Sequence, residues 1–427
     1  MKNPLTKFLG ITPYKIGVVI TFAILGLYCL NLSCFGVLDS KVLDLALILK
    51  GKNAPGKETV IAAIDEKSCR EIGPWPWPYP TMARLVKVLN QYGARAIAFD
   101  MVFPDQSGKI YGFHPDRELA RSIKEAANVT LGYSFDLTPM SAGNRLLPGS
   151  GRIIASKFPI VQFRSMPQHT SLFEACSVVP NADAISDAAE NEGYINVSPD
   201  ADGVLRWAPL AIKMDRELYP SLALSALVQY LDWPVFSITL KDSGVEGIKL
   251  GDIDIPTDPL GRILINYRGP EKSFPHYSIS DLLNDRIDAD AIRDKIVLVG
   301  LSDQSLGTSR LTPYGTAYTD VEIQANVIDN ILHGNIIRRP SWAGLFDLSS
   351  ILLFGLILSA VFAKIHWFPS MLLSAALIVL VVSGGAYMLQ AHGLWLSIAY
   401  PLLAIVATYL GVVISKGMIK KSQVTRT

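Results

Sequence analysis

Acidic side chains that follow predicted strands are the residues of this sequence best placed to do chemistry. Asp65 and Asp100 each end a run of apolar, β-branched residues, and Asp303 lies in the loop after a third such run. Glu322 and Asn326 are one helical turn apart, so they share one face of a predicted helix. Because open α/β sheets bind ligands beyond the carboxyl ends of their strands, the five residues predict a polar, acidic pocket for a cation, an amine or a polar metabolite.

A simpler interpretation of the same residues stays open. Aspartates at strand ends often cap the next helix or close a turn. Carboxylates would suit Mg²⁺ or Ca²⁺, but the sequence has no loop with regular ligand spacing, so neither a metal nor another cofactor is expected. The chain has six histidines and no Ser–His–Asp signature, so no catalytic residue is assigned and an enzyme is not expected.

Two further features of the middle region allow alternative interpretations. The loop PWPWPYP carries Trp75 and Trp77, which could stack on a ligand or hold a cation, although packing on the domain or near the membrane surface is favoured. Cys69 and Cys176 could form a disulfide in an oxidising compartment, but two cysteines do not make a disulfide framework. Two small buried thiols are the favoured interpretation.

Apolar segments flank the region that would position these residues. The chain is 50% hydrophobic, and the excess lies near its two ends. Residues 15–37 contain an uncharged run long enough to span a bilayer, and similar runs cover residues 342–363, 369–391 and 394–415. A cleaved signal peptide is the alternative for the first run, but its apolar region would be shorter. Four transmembrane helices are therefore expected.

The distribution of Lys and Arg predicts the orientation of these helices. Basic residues precede the first run, Lys364 lies between the second and third, and more follow the fourth. This pattern places residues 1–14 and 416–427 in the cytoplasm and residues 38–338 outside it, as in a multi-pass protein of a bacterial inner membrane. The formal net charge of +1 offers no field that would attract nucleic acid.

Two arginines oppose this rule. Arg338 and Arg339 lie just before the second run, on the side predicted to be outside, where they could anchor lipid headgroups. Asp347 lies two helical turns further on and could face Arg339. An interfacial aspartate without a signalling role is an equally good interpretation.

The middle region has the pattern of an α/β domain. Residues 59–65 and 94–103 are apolar runs typical of buried strands, and residues 81–92 between them have helical spacing. Strand, helix and strand in this order predict a right-handed crossover between adjacent parallel strands. Further elements are predicted at helix 38–49, helix 118–127, strand 129–135, helix 220–231, helix 278–283, strand 295–300 and helix 321–333.

Turn residues predict two β-hairpins inserted in this sheet. Residues 199–203 carry Asp and Gly where positive φ is needed, and they would join strands 193–197 and 204–214. Residues 257–261 would similarly join strands 253–255 and 262–267. The expected fold is thus an open, mostly parallel α/β sheet with β-hairpin insertions, together with four transmembrane helices.

A series of short motifs resembles a known family over the whole middle region. The motifs are AIDEKS (63–68), WPWP (75–78), GARAIAFD (93–100), GYIN (193–196), DGVLR (202–206), PSLA (220–223), INYRG (265–269), KIVLVG (295–300) and VEIQAN (321–326). Each is weak alone, but their order and spacing are specific. Together they resemble the second type of CHASE domain, a sensory extracellular module associated with cyclases and histidine kinases.

The resemblance implies signal reception outside the cell and output inside it. The family's output domains are nucleotide cyclases, kinases and cyclic-dinucleotide enzymes, whereas only about a dozen residues follow the last apolar run here. The expectation is a homodimeric receptor for an unknown extracytoplasmic ligand, embedded in membrane lipid, which signals to a separate cytoplasmic protein. The alternatives are a truncated sensor part of a longer cyclase or kinase, a membrane scaffold or assembly partner, and a periplasmic enzyme.

Overall fold

The computed structural model describes residues 12–30, 33–105, 115–137, 153–165 and 172–424. Most of the predicted cytoplasmic N-terminus and the last three residues of the predicted tail lie outside these ranges. The chain divides into two compact units. One unit is Gly51–Arg338, called the middle domain below, and the other comprises the residues on either side of it.

The helices and strands are numbered in chain order. The helices are α1 (Pro13–Cys29), α2 (Ser33–Lys50), α3 (Glu66–Ile72), α4 (Tyr79–Gln91), α5 (Pro115–Ala126), α6 (Asp183–Ser186), α7 (Leu222–Tyr230), α8 (Ile279–Leu283), α9 (Asp320–Leu332), α10 (Ala343–Lys364), α11 (Trp367–His392) and α12 (Ala399–Val424). The strands are β1 (Thr59–Ile64), β2 (Ala96–Phe99), β3 (Val129–Asp136), β4 (Ile160–Phe163), β5 (Glu174–Ala175), β6 (Ser177–Val179), β7 (Asn191–Tyr194), β8 (Trp207–Pro209), β9 (Ala211–Met214), β10 (Glu217–Pro220), β11 (Phe236–Lys241), β12 (Gly244–Leu250), β13 (Ile253–Pro256), β14 (Arg262–Leu264), β15 (His276–Ser278), β16 (Ile296–Leu301), β17 (Ser309–Leu311) and β18 (Ala317–Thr319).

A mostly parallel sheet forms the centre of the middle domain. Its strands run in the order β15-β1-β16-β2-β3-β7, all parallel, and β6 pairs antiparallel with β3. The predicted α/β class with a parallel sheet is therefore confirmed. The prediction that β1 and β2 are adjacent is wrong, because β16 lies between them. Val297 of β16 pairs with Val60 of β1 on one side and with Ile97 of β2 on the other.

The inner strands β1, β16 and β2 of this sheet are apolar on both faces. In β1, Val60, Ala62 and Ile64 face one hydrophobic core, and Ile61 and Ala63 face the other. Helices α4, α5 and α8 contribute to the first core, and α7 and α9 contribute to the second. Burial on both faces explains why these strands are continuous apolar runs rather than alternating ones.

Both predicted hairpins have their turns but not their strand pairs. The first turn forms, with the Asp200 N–H bonded to the carbonyl of Val204, and in the second the Asp258 N–H is bonded to the carbonyl of Arg262. The strand before the first turn, β7, belongs to the central sheet, and the strand before the second, β13, pairs with β12. The strands after the two turns, β8 and β14, pair with each other. The hairpin predictions are therefore wrong, because strands that are distant in sequence take the pairing positions that the neighbouring strands were expected to fill.

The inserted β-rich part is built from other pairs. Strands β9 and β10 form a tight hairpin through Asp215, which adopts a positive φ of 55°. Strands β13, β12, β11 and β4 form a second small sheet in that order. The thiols of Cys69 and Cys176 are both free, so the structure has no disulfide between them.

The second unit contains three helices that are long and apolar enough to cross a membrane, among the residues that the structure describes. They are Ala343–Lys364, Trp367–His392 and Ala399–Ile419, in agreement with the last three predicted spans. The first predicted span is a shorter apolar helix, Pro13–Cys29. Its 17 residues are at the lower limit for spanning a hydrocarbon core, so the fourth transmembrane helix stays a prediction.

Small residues let α1 pack closely within this unit. A Cβ atom at Gly17 would collide with Ser359, and one at Gly355 would collide with Thr21. Close approach at small residues is typical of helix contacts in membranes, where lipid removes the hydrophobic driving force. The packing of α1 against α10 and α12 thus favours a place for α1 in the same membrane bundle.

The pairing of Arg339 with Asp347 that the sequence suggested is present. Their side chains lie 2.6 Å apart, and Asp347 is fully buried. The hydroxyl of Tyr28 donates to the same carboxylate at 3.2 Å, and the guanidinium stacks over Trp395. The carboxylate therefore links three segments of this unit.

Candidate functional site

Two cavities open at the carboxyl edge of the central sheet. The first, of about 500 Å³, lies beyond β1, β15 and the end of β16, and is called the Asp65 cavity. The second, of about 320 Å³, lies beyond β2 and β7, and is called the Asp100 cavity. The five residues predicted to form one pocket are therefore divided, because β16 separates the strands that carry Asp65 and Asp100.

Asp65 in the first cavity is the N-cap of helix α3. Its Oδ1 accepts hydrogen bonds from the Ser68 N–H and from the Ser278 hydroxyl, both at 2.8 Å. A side chain of this kind satisfies one of the N–H groups that a helix leaves unpaired at its start. The capping role that the sequence left open is thus present, at a residue that also lines the cavity.

Asp303 lines the same cavity and closes a turn. Its Oδ1 accepts from the backbone N–H of Ser305 at 2.8 Å and from the Ser305 hydroxyl at 2.7 Å. These two hydrogen bonds favour the charged form and hold the pKa of Asp303 below its usual range. Asp303 is therefore an anion at neutral pH with one oxygen already engaged.

Glu322 is the buried acid of the Asp65 cavity. Only 4% of its side chain is exposed, and Oε1 accepts a hydrogen bond from the backbone N–H of Lys272. Burial raises the pKa of Glu322 to about 7, and the nearby charge of Glu271 adds to the effect, whereas the Lys272 N–H opposes it. This carboxyl therefore changes its ionisation near neutral pH, unlike Asp303 at the rim.

His276 faces Glu322 across the cavity. Its Nδ1 donates to the carbonyl of Phe274 at 2.9 Å, which leaves Nε2 without a proton in the neutral ring. Nε2 is buried, has no hydrogen-bond partner among the described residues and lies 3.8 Å from Oε1 of Glu322. Burial lowers the pKa of His276. The distance is too long for a direct hydrogen bond, so Nε2 of His276 is available as an acceptor for a polar group bound in the cavity.

Asn326 lines neither cavity. It is fully buried, its Oδ1 accepts from the backbone N–H of Arg268 at 3.0 Å, and its amide donates to the carbonyl of Glu322 at 2.8 Å. It shares a helix face with Glu322 as the spacing predicted, but its groups are used to join α9 to the neighbouring segment. The structure therefore separates Asn326 from the predicted pocket.

Asp100 lines the second cavity with a buried carboxyl oxygen. Its Oδ1 is shielded from solvent and has no hydrogen-bond partner in the described part of the chain. Burial, followed by the charge of Asp320, raises the pKa of Asp100 well above its usual range, and the charge of Arg310 opposes this. The charge of Asp320 is met by Arg310 Nε at 3.0 Å and by the Thr308 hydroxyl at 2.6 Å.

Glycines allow the segments around the Asp100 cavity to approach closely. A Cβ atom at Gly132 on β3 would lie 2.6 Å from the carbonyl oxygen of Phe99 and 2.9 Å from that of Met101. A Cβ atom at Gly300 would lie 2.7 Å from Cβ of Val321 at the start of α9. Because these glycines have no side chain, β3 lies close to the end of β2, and β16 lies close to the start of α9, on two sides of Asp100.

The tryptophan loop is packed rather than open. Trp77 is 4% exposed and donates from Nε1 to the carbonyl of Gly73 at 2.7 Å. Its ring meets that of Trp75 edge to face, with 5.3 Å between centroids, and both lie against the core under α4. Packing, the interpretation that the sequence favoured, is the arrangement found.

Several residues of the two cavities were missed in the sequence. His276 begins the short strand β15 and Lys272 precedes it, but the sequence predicted no strand there. Arg310 lies in the small hairpin of β17 and β18, for which the sequence gave no prediction. Asp320 had a usable signal, because an acidic residue directly before an apolar helical run is typical of a helix start. The described residues contain no group of three or more His, Cys, Asp or Glu side chains that could hold a metal ion.

Comparison with protein-family models gives one match, the CHASE2 domain, over residues 19–363. Comparisons with curated proteins and with solved structures give no match. The match covers most of the chain, including the whole middle domain with its two cavities. CHASE2 is a sensory domain family of cyclases and kinases. The chain belongs to the CHASE2 domain family.

Proposed function

We propose that the chain is a membrane-bound sensory protein that detects a ligand in the middle domain. The observation that carries the proposal is a pair of polar cavities at the carboxyl edge of the sheet, in a domain of a sensory family. The chain enters this domain from apolar helix α1 through α2 and leaves it into α10. A change of the domain on binding therefore has covalent routes to the membrane on both sides.

The proposed location is a bacterial inner membrane, with both termini in the cytoplasm and the middle domain outside. The position of Lys364 as the last residue of α10, beside the turn to α11, supports this orientation. The test is labelling with a membrane-impermeant maleimide in intact cells, after replacement of the four native cysteines by serine. Asp254→Cys, at a side chain that is 84% exposed, is expected to react at once. Lys364→Cys is the matched control and is expected to react only after the cells are opened; the reverse pattern would invert the topology.

The proposed output is a change in helix packing within a homodimer, received by a separate cytoplasmic protein. Such a signal requires two states that the ligand binds unequally. Val19 on α1 is 66% exposed within one chain, so Val19→Cys can report contact between two copies. We expect the cross-linking yield of Val19→Cys in native membranes to differ between the protein with unchanged cavities and the proteins that also carry Asp65→Asn or Asp100→Asn. Identical yields in all three proteins would argue against transmission through this helix.

A non-enzymatic role is part of the proposal. Asp65 and Asp303 already use oxygens for a helix cap and a turn, which suits fixed binding groups more than proton transfer. A purely scaffolding role is the second hypothesis, and it makes a different prediction. Deletion of the chain would then remove a partner complex from the membrane, while Asp65→Asn and Asp100→Asn would leave that complex intact.

A further inference from the structure

The Asp100 cavity contains a carboxyl group that the protein itself does not satisfy. Oδ1 of Asp100 is shielded from solvent and has no hydrogen-bond partner among the described residues. The other acid of the cavity, Asp320, is engaged by Arg310 and Thr308. A buried polar atom without a hydrogen-bond partner destabilises the folded protein. A ligand that pairs with Asp100 would remove this cost, and its binding would be favoured accordingly.

One polar side chain at the wall, that of Asn196, is committed elsewhere. The amide of Asn196 accepts from the backbone N–H of Phe135 at 2.7 Å and donates to its carbonyl at 2.8 Å. It therefore fixes the wall of the cavity by joining the chain after β7 to β3. Among the side chains that line the cavity, Asp100 carries the buried oxygen without a hydrogen-bond partner in the described part of the chain, and Ser134 adds a hydroxyl.

The charges of the cavity favour a cation. Ionised Asp100 and Asp320 face one guanidinium, that of Arg310, so one negative charge is not balanced. An anion would be repelled by Asp320 and by the ionised form of Asp100. Burial and the Asp320 charge raise the pKa of Asp100, so the empty cavity favours the neutral form of this acid, whereas a bound cation favours its ionised form. A cation that binds beside Asp100 therefore displaces to the solvent any proton that the acid holds.

The size and walls of the cavity favour an organic cation over a metal ion. Its volume of about 320 Å³ is in the range of small-molecule pockets and far exceeds that of one ion. Apolar side chains form much of the wall, namely Met101, Ile195, Val197 and Leu301. Mg²⁺ and Ca²⁺ prefer six or more oxygen ligands, whereas the two carboxylates here include one that is already paired with Arg310.

We propose that the Asp100 cavity binds a small organic monocation, a protonated amine whose ammonium group pairs with Asp100 and whose hydrocarbon part lies against Met101 and Ile195. The inference rests on the proposed sensory function, to which it gives a ligand class. Its failure is distinguishable from failure of that function, because the labelling and cross-linking experiments above use no ligand.

The test is thermal unfolding of the purified full-length chain in phosphatidylcholine nanodiscs with n-butylammonium chloride. 1-Butanol and sodium butyrate are neutral and anionic controls of the same length. We expect n-butylammonium alone to raise the midpoint, by about 5 °C at a hundredfold excess over its Kd. Calorimetric titration in two buffers of different ionisation enthalpy is expected to show release of up to about one proton for each cation bound.

Variants locate the effect. Asp100→Asn is expected to abolish the response, and Asp254→Asn, at an exposed position on β13, is the matched control that keeps it. Should Asp100→Asn fail to fold, Met101→Lys supplies a second variant, because it places an ammonium group in the same cavity and is expected to remove the response to n-butylammonium.

Four results would overturn the proposal. An equal shift with 1-butanol would mean that the cavity accepts any apolar filler. A saturable, Asp100-dependent shift with Mg²⁺ or Ca²⁺ but not with n-butylammonium would make it a metal site. A response that survives both Asp100→Asn and Met101→Lys would place the binding elsewhere. No shift with n-butylammonium up to its solubility limit would exclude the ligand class.

Discussion

Replacement of Glu322 by Gln should stabilise the middle domain at alkaline pH and leave it nearly unchanged in acid. Gln keeps the shape of the side chain and an oxygen that can accept from the Lys272 N–H, but it cannot ionise. The wild-type carboxyl, 4% exposed, has a pKa of about 7 in the folded protein against 4.5 as the ordinary value. A raised acid pKa means that the folded state binds the proton more tightly than the unfolded state does, so wild-type stability falls as the pH rises between these two values.

The size of the effect follows from those two pKa values. At about 1.4 kcal/mol for each tenfold change in proton affinity, full ionisation of Glu322 costs about 3 kcal/mol. Between about pH 5.5 and pH 8, the stability of Glu322→Gln relative to wild type should therefore rise by about 2 kcal/mol. His276 is present in both proteins, and its lowered pKa destabilises both as the pH falls below about 6.5, so its effect largely cancels.

Urea unfolding of the full-length protein in detergent, followed by tryptophan fluorescence at the two pH values, measures this difference. Asp303→Asn is the matched control, because the pKa of Asp303 is lowered and this acid stays ionised throughout the range. Parallel pH profiles for wild type and Glu322→Gln would refute the reasoning. They would show that solvent reaches the carboxyl and that Glu322 titrates as an ordinary acid.

Three further predictions concern packing in the middle domain, and each is measured by the urea midpoint of the variants. Asp202→Ala should lower the free energy of unfolding by about 3 kcal/mol, because the guanidinium of Arg206, 1% exposed, loses one of its carboxylate partners. Arg206→Met should lower it by less, because the carboxylates that it leaves unpaired are partly open to water. Gly132→Ala should cost about 2 kcal/mol or more, because its Cβ atom would meet the rigid carbonyl of Phe99. Asn326→Ala should cost about 2 kcal/mol without altering the response to n-butylammonium, because its amide bonds to the backbone of Arg268 and Glu322, outside the Asp100 cavity.

The elements of the central sheet were predictable because their signals are local. Continuous apolar runs marked β1 and β16, and helical spacing marked α4 and α9, each within a few residues of its observed bounds. Strand order was not predictable from such signals. A run of apolar residues reports that a strand is buried on both faces, but not which strands lie beside it. The position of β16 between β1 and β2, which was not predicted, also explains why the structure has two cavities where one pocket was expected.

The same limit applies to the site residues. Asp65, Asp303 and Glu322 lie together as predicted, since the carboxyl ends of parallel strands share one edge. The sequence could not show that Asn326 turns its amide to backbone groups, because its partner Arg268 is distant in the chain. It also gave no signal for His276, whose importance comes from its distance to Glu322 rather than from its neighbours in sequence.

The insertion of β16 between β1 and β2 also bears on how the domain folds. The central strand of the sheet comes from the C-terminal part of the domain, so β1 and β2 have no shared partner until Ile296–Leu301 has joined them. Contacts between residues so far apart in sequence require closure of a long loop before they stabilise anything, which slows folding. An N-terminal fragment that ends before β16 would expose the apolar faces of β1 and β2 and would be prone to aggregate. Completion of the sheet, and with it of both cavities, therefore requires nearly the whole domain to be present.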